Sequence, residues 1–191
     1  MRESFSSREK YTGAMHEEDL LGTVSREKYL ASLGKTGKSA GEYVPYSRAV
    51  ELVRASQKGD PTNPDRPLAK DLRIGVIEAL EERGVLKPGE EDRVKYFTAV
   101  GTHLDVFHKT DAFIEFENPK TRHRDMVTLD ISLKSGDVKR DEGARADVIL
   151  TDVPDPDTEE DAYLIKVDEL AERIADYITN PPAEREARKT A

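Results

Sequence analysis

The chain has 191 residues, enough for one domain of ordinary size with appendages. Apolar and charged residues each make up 36%, so the core is modest and part of the chain is expected to lie outside it. A net charge of −9 argues against sequence-independent nucleic-acid binding over one broad basic surface, though not against a local basic groove. Without cysteine there is neither a disulfide framework nor a thiolate metal site. No run approaches membrane-spanning length, and the first twenty residues lack the apolar stretch of a signal peptide. The expectation is a soluble, intracellular, cytoplasmic protein.

Residues 1–44 are polar and read as a flexible arm with short helical turns. "SREKY" occurs in it twice, at Ser7–Tyr11 and Ser25–Tyr29; short repeats of this kind arise readily by chance, and a docking motif is the alternative. "SLGKTGKSAG" ends like a phosphate-binding loop, but Ser32 stands where the leading glycine belongs and no apolar strand precedes it. That motif is therefore rejected.

A single globular domain is expected over residues 45–180, helical over 45–104 and sheet-containing over 105–180, with a charged tail at 181–191. The first predicted helix runs from an N-cap at Ser47 towards Gly59. After the proline-rich loop "GDPTNPDRP", a second places Leu72, Val76, Ala79 and Leu80 at helical spacing and stops at Gly84. A third sets Val94, Phe97, Gly101 and Leu104 on one face.

From Asp111 the period changes to two. "DAFIEF" puts Ala112, Ile114 and Phe116 on one face, and Asp111, Phe113 and Glu115 on the other. "MVTLDISLK" alternates more cleanly, with Val127, Leu129, Ile131 and Leu133 opposed to Thr128, Asp130, Ser132 and Lys134. "ADVILTDV" (146–153) reads as a third, interior strand and "AYLIKV" (162–167) as a fourth, leading into a helix with Leu170, Ile174, Tyr177 and Ile178 on its apolar stripe. The expected fold is α+β or α/β, with about four strands and helices packed on them.

Aspartate is a poor strand former, so Asp130 within a strong β pattern violates the local rule, and such violations often mark function. Asp111 heads the strand expected to pair with it. Two nearby carboxylates suit a hard divalent cation such as Mg²⁺, which takes one or two protein carboxylates and completes its octahedron with water and phosphate oxygens. A lysine beside them, Lys134, can orient or help deprotonate the attacking water and offset charge on a scissile phosphate. The purely structural alternative is a wet sheet face, with Asp130 paired to Lys134 or an arginine. Asp105 reads as a solvated helix-end residue or a third acid, and Glu115 as a sheet-edge residue or an extension of the cluster. His103, His108 and His123 lack zinc-ligand spacing and are assigned to the surface or the substrate side. Lys120, Arg122, Arg124, Lys134, Lys139, Arg140 and Arg145 form either a basic rim around an acidic centre or a charged hairpin and loop.

Asp111 at the head of one strand, then Asp130 on the next with a lysine shortly after, behind a helical segment, resembles the PD-(D/E)XK nuclease superfamily over about residues 90–178. The resemblance implies a small mixed sheet flanked by helices, Mg²⁺ (or Mn²⁺) as cofactor, and DNA or RNA as substrate. It implies Asp111 and Asp130 as metal ligands, with the main-chain carbonyl of Ile131 or Ser132 completing the sphere. Two departures stand out: Ser132 occupies the usual lysine position, and Thr110 precedes Asp111 where the motif has proline. Lys134 is the first candidate for a migrated lysine and Lys139 the second, with Lys120, Arg122, Arg124, Lys139 and Arg140 as nucleic-acid contacts. Nucleases of this type often act as dimers, so a homodimer is one expected assembly. The alternatives are a catalytically inactive binding or assembly subunit of the same fold, and an acidic scaffold that holds a protein partner through its N-terminal arm.

Overall fold

The computed structural model describes residues 17–132 and 146–180. After a helical segment at 17–21, the elements are α1 (Arg26–Gly34), α2 (Tyr46–Ala55), α3 (Pro67–Glu82), β1 (Val94–Thr98), α4 (His103–His108), β2 (Ala112–Glu117), β3 (Arg124–Ser132), β4 (Val148–Thr151) and α5 (Glu160–Thr179). The strands form one mixed sheet in the order β1-β2-β3-β4. The first three make an antiparallel meander, and β4 lies parallel to β3. The fold is α+β, with helices packed on a small sheet. No helix among the described residues is long and apolar enough to cross a membrane.

Two separate apolar clusters cover the two faces of this sheet. On one face, α3 and α5 pack over Val94, Tyr96, Ile114, Phe116, Val127, Leu129, Ile131, Val148 and Leu150. The two helices approach closely at Gly75, where an added Cβ would lie 2.8 Å from that of Ala171. On the other face, α1, α2 and α4 cover Phe97 and Phe113, whose rings stack at 4.9 Å. Pro67 opens α3, where its fixed φ suits the first helical turn and its missing N–H costs nothing. The free edge of β1 is closed by a side chain: the Gln57 amide donates to the Thr98 carbonyl (2.9 Å) and accepts from the Thr98 N–H (3.3 Å). A blocked edge cannot recruit a further strand.

Four expectations need correction. Residues 94–98 form a strand, and only 103–108 of the predicted third helix is helical. Val94 and Phe97 belong to opposite faces; because both faces are covered, the strand loses the alternation that would have marked it. "AYLIKV" is the first part of α5, where Tyr163 and Val167 begin the buried stripe and Leu164 and Ile165 stay exposed. A short apolar run does not by itself distinguish strand from helix. The β4 strand pairs with β3 alone among the described strands, so it is an edge rather than an interior strand.

The fourth correction concerns the arm. From residue 17 onward it is folded: Leu21 joins the core under α3 and α5, and Tyr29, Leu33 and Val44 pack on the opposite face. Each such buried side chain contributes about 1.5–3 kcal/mol, against a typical net stability of about 5–15 kcal/mol for a domain. Removing residues 1–44 is therefore expected to abolish cooperative thermal unfolding, followed by circular dichroism. A truncated chain melting within a few degrees of the full one would contradict this packing.

Candidate functional site

The register of β2 and β3 builds the site. Ala112 pairs with Leu129 and Phe113 with Thr128, and Asp111 immediately precedes this ladder with its carboxyl hydrogen-bonded to Asp130. The Asp111 N–H donates to the carbonyl of Leu129, the partner of Ala112, at 2.9 Å, so regular pairing breaks at Asp111 in the manner of a bulge. Asp130 projects to the Phe113 face by strand alternation, and the Asp111 carboxyl meets it through their hydrogen bond. The pair is almost completely buried, at 4% exposure for Asp111 and 2% for Asp130.

One Asp111 oxygen accepts the Ile131 N–H at 2.8 Å. Burial, the Asp130 charge, the Asp105 charge and a hydrogen bond to Asp130 all raise its pKa, to about 9, against the smaller opposing effect of the Ile131 N–H. Without a bound cation, Asp111 therefore holds a proton at neutral pH and donates it to Asp130. No basic side chain pairs with Asp111 among the described residues.

Two more acids reach the same place. Carboxylate oxygens of Glu17, Asp105 and Asp111 lie within 4.8 Å of one another. Asp105 is the third residue of α4 and accepts the Gly101 N–H at 2.9 Å, which turns its side chain back over the helix start. Glu17 arrives from the segment expected to be a free arm. Three acids thus meet at one point, and Asp130 adjoins them through its hydrogen bond to Asp111. Glu17 was hidden in a polar stretch with no periodicity; the acidic run "HEEDL" was its only sequence signal.

The other predicted residues sort differently. Glu115 is buried and forms an ion pair with Arg54 of α2, outside the acidic group. Lys120, Arg122 and Arg124 lie at the opposite end of the β2–β3 hairpin, six residues along β2 from Asp111, about 20 Å in an extended strand. Arg122 and Arg124 both pair with Glu117 there. The structure does not bring these three to the acids. Lys134, Lys139, Arg140 and Arg145 lie outside the described residues. Ser132 is buried on the Asp130 face, at the usual lysine position.

His103 and His108 are buried ties rather than surface residues. The Tyr29 hydroxyl accepts the His103 backbone N–H at 2.8 Å and contacts His103 Nδ1; the ring Nε2 faces the Ser39 carbonyl at 3.3 Å. A carbonyl only accepts, so Nε2 carries the proton and Nδ1 accepts from Tyr29. Burial raises the Tyr29 pKa and keeps its hydroxyl a donor. His108 Nε2 donates to the Val44 carbonyl at 2.9 Å. Together they fasten residues 29–44 to α4, the helix that carries Asp105. His123 is exposed beside Asp125, in the far hairpin.

The arrangement offers only oxygen donors, which suits Mg²⁺ or Mn²⁺ better than zinc. A divalent cation would displace the Asp111 proton and offset the charge that makes this buried pair costly. No protein-family model, curated protein or solved structure matches the chain.

The buried acid sets a pH dependence. Unfolded, Asp111 titrates near the usual 3.8; folded, near 9. Between these values the folded chain holds the extra proton, so the Asp111 contribution to stability is fully present below about pH 4 and is lost as pH rises through about 9, by up to about 1.4 kcal/mol per unit. Asp111→Asn retains an acceptor for Ile131 and a donor for Asp130. In EDTA it is expected to flatten this slope and raise the melting temperature at pH 8 by several degrees. Parallel pH profiles for wild type and variant would contradict the assignment.

Proposed function

We propose that this protein is a metal-dependent nuclease that hydrolyses phosphodiester bonds of DNA or RNA, with Asp111 and Asp130 as ligands for Mg²⁺ or Mn²⁺. The observation that carries the reading is the buried cross-strand carboxylate pair, so placed that one member keeps a proton near neutrality. Paired surface aspartates on a wet sheet would not meet that condition, since helices cover this face. The mixed four-stranded sheet also agrees with what the nuclease-superfamily resemblance implies.

In this reading Asp111 and Asp130 hold the ion, and the Ile131 N–H keeps the Asp111 carboxylate oriented after its proton leaves. Asp105 and Glu17 supply further oxygens or hold water in the outer sphere. Bound there, the ion would polarise a phosphate oxygen and lower the pKa of water. Lys134 follows Asp130 by four residues and is assigned the role of orienting the nucleophile and offsetting phosphate charge. Burial of the pair excludes competing solvent and strengthens each charge interaction.

One observation favours a second reading, a catalytically inactive nuclease-fold subunit that binds nucleic acid or assembles with a partner. Ser132, not lysine, occupies the buried position two residues after Asp130. Cleavage assays separate the readings. In Mg²⁺ or Mn²⁺, a mixture of single- and double-stranded DNA and RNA is expected to be cut by wild type, and at least about 100-fold more slowly by Asp130→Ala that remains folded. Equal rates for the two proteins would sink the nuclease reading. Metal-independent oligonucleotide binding with no cleavage would favour the inactive subunit.

A further inference from the structure

A cleft of about 470 Å³ opens beside the acidic group, between α4 and the segment leading into α1. It falls within the range of about 300–1,000 Å³ usual for small-molecule sites. Its walls include Val24, Leu30, Val106 and Phe107, with Arg26 at the rim. Leu30, Val106 and Phe107 are 47%, 54% and 36% exposed, an unusual grouping of large apolar side chains left towards solvent. Arg26 makes no ion pair or side-chain hydrogen bond among the described residues.

The aromatic wall is held in advance. The Phe107 ring stacks on His103 at 5.5 Å and 27°, and Tyr43 meets it edge-on at 6.0 Å. His103 is itself fixed by Tyr29 and Ser39. A ring positioned before binding loses little freedom when a planar ligand stacks on it. The cleft adjoins the acids at Gly101, a lining residue whose N–H donates to the Asp105 carboxylate at 2.9 Å.

Resting on the nuclease reading, we propose that this cleft receives an unpaired nucleobase of the substrate strand, next to the phosphate at the acidic centre. The juxtaposition supplies the chemistry: an apolar, aromatic-walled slot for a planar ring, an exposed guanidinium for a neighbouring phosphate, and a carboxylate centre suited to a cation for the scissile one. A base within a duplex is stacked on both faces and must leave the helix to enter such a slot. The enzyme therefore selects single-stranded or locally unpaired nucleic acid, and base stacking provides sequence-tolerant affinity. Ribose and deoxyribose strands share this base chemistry.

The chain contains no tryptophan, so Phe107→Trp places a single indole reporter in the cleft. Its emission is followed with Ca²⁺ present during titration with oligothymidylate, oligouridylate, an abasic strand of equal length, and a duplex. Quenching by the base-bearing single strands is expected at concentrations roughly tenfold lower than by the abasic strand or duplex. The deoxy and ribo arms identify which strand is preferred. In the otherwise native chain, Leu30→Ala and Phe107→Ala are each expected to weaken binding of the preferred strand, followed by anisotropy, by roughly tenfold. Equal affinity for abasic and base-bearing strands, equal affinity for the duplex, or unchanged affinity in both variants would overturn the inference. Mn²⁺ titrations of wild type and Asp130→Ala without nucleic acid separate the two failures. Binding by wild type alone leaves the metal-centre reading standing, whereas no wild-type binding removes its basis.

Discussion

Placing two carboxylates side by side inside a protein is costly, and the β2–β3 register of this chain does so at Asp111 and Asp130. In the apo protein the cost is met by protonation: Asp111 is held as an acid up to about pH 9 and hydrogen-bonds to its neighbour. A one-residue slip of β3 would send Asp130 into the apolar layer beneath α3 and α5, away from Asp111, since alternate strand positions face opposite sides. The register is fixed by what lies on either side of it. Ile114, Val127 and Leu129 fill one cluster, while Phe113 stacks on Phe97 in the other.

The remaining elements work as supports for that pair. The α3–α5 layer gives the sheet its rigid back, and Gln57 seals its β1 edge. On the site face, α4 delivers Asp105, and the N-terminal chain closes over α4 through the Tyr29, Ser39 and Val44 contacts to its two buried histidines. Glu17 completes the acidic group from the same N-terminal chain. The polar tie that fastens this segment thus also fixes the aromatic wall of the cleft, so acid centre and cleft share one set of supports.

Much of this was legible in the residues, for reasons that differ by element. Strands β2 and β3 announce themselves by alternation, and Asp130 stands out because aspartate disfavours strands. Period two sets Asp130 opposite the apolar residues of its own strand, whereas its meeting with Asp111 depends on the break in pairing at Asp111. β1 was hidden because apolar layers on both sides remove alternation, leaving Val94 and Phe97 to imitate helical spacing. The start of α5 was hidden because Leu164 and Ile165 are apolar yet exposed, so "AYLIKV" looked like a buried strand. Glu17 and the structural histidines were not legible, since their roles arise from contacts between segments 64 to 94 positions apart, as Ser39 with His103 and Glu17 with Asp111. The arginines of the far hairpin failed as a basic rim for a geometric reason: a strand's length separates them from Asp111.

The central claim is that the acidic group is a cation site whose protonated member yields to the ion. It is tested most directly by calorimetric titration of Mg²⁺ and Mn²⁺ into the full chain at pH 7.5, in two buffers of different ionisation enthalpy. A folded Asp111 pKa of about 9 predicts saturable binding with release of about one proton per ion, and loss of that release in Asp111→Asn. Saturable binding with no proton release would contradict the account of Asp111, and absence of binding would contradict the site itself.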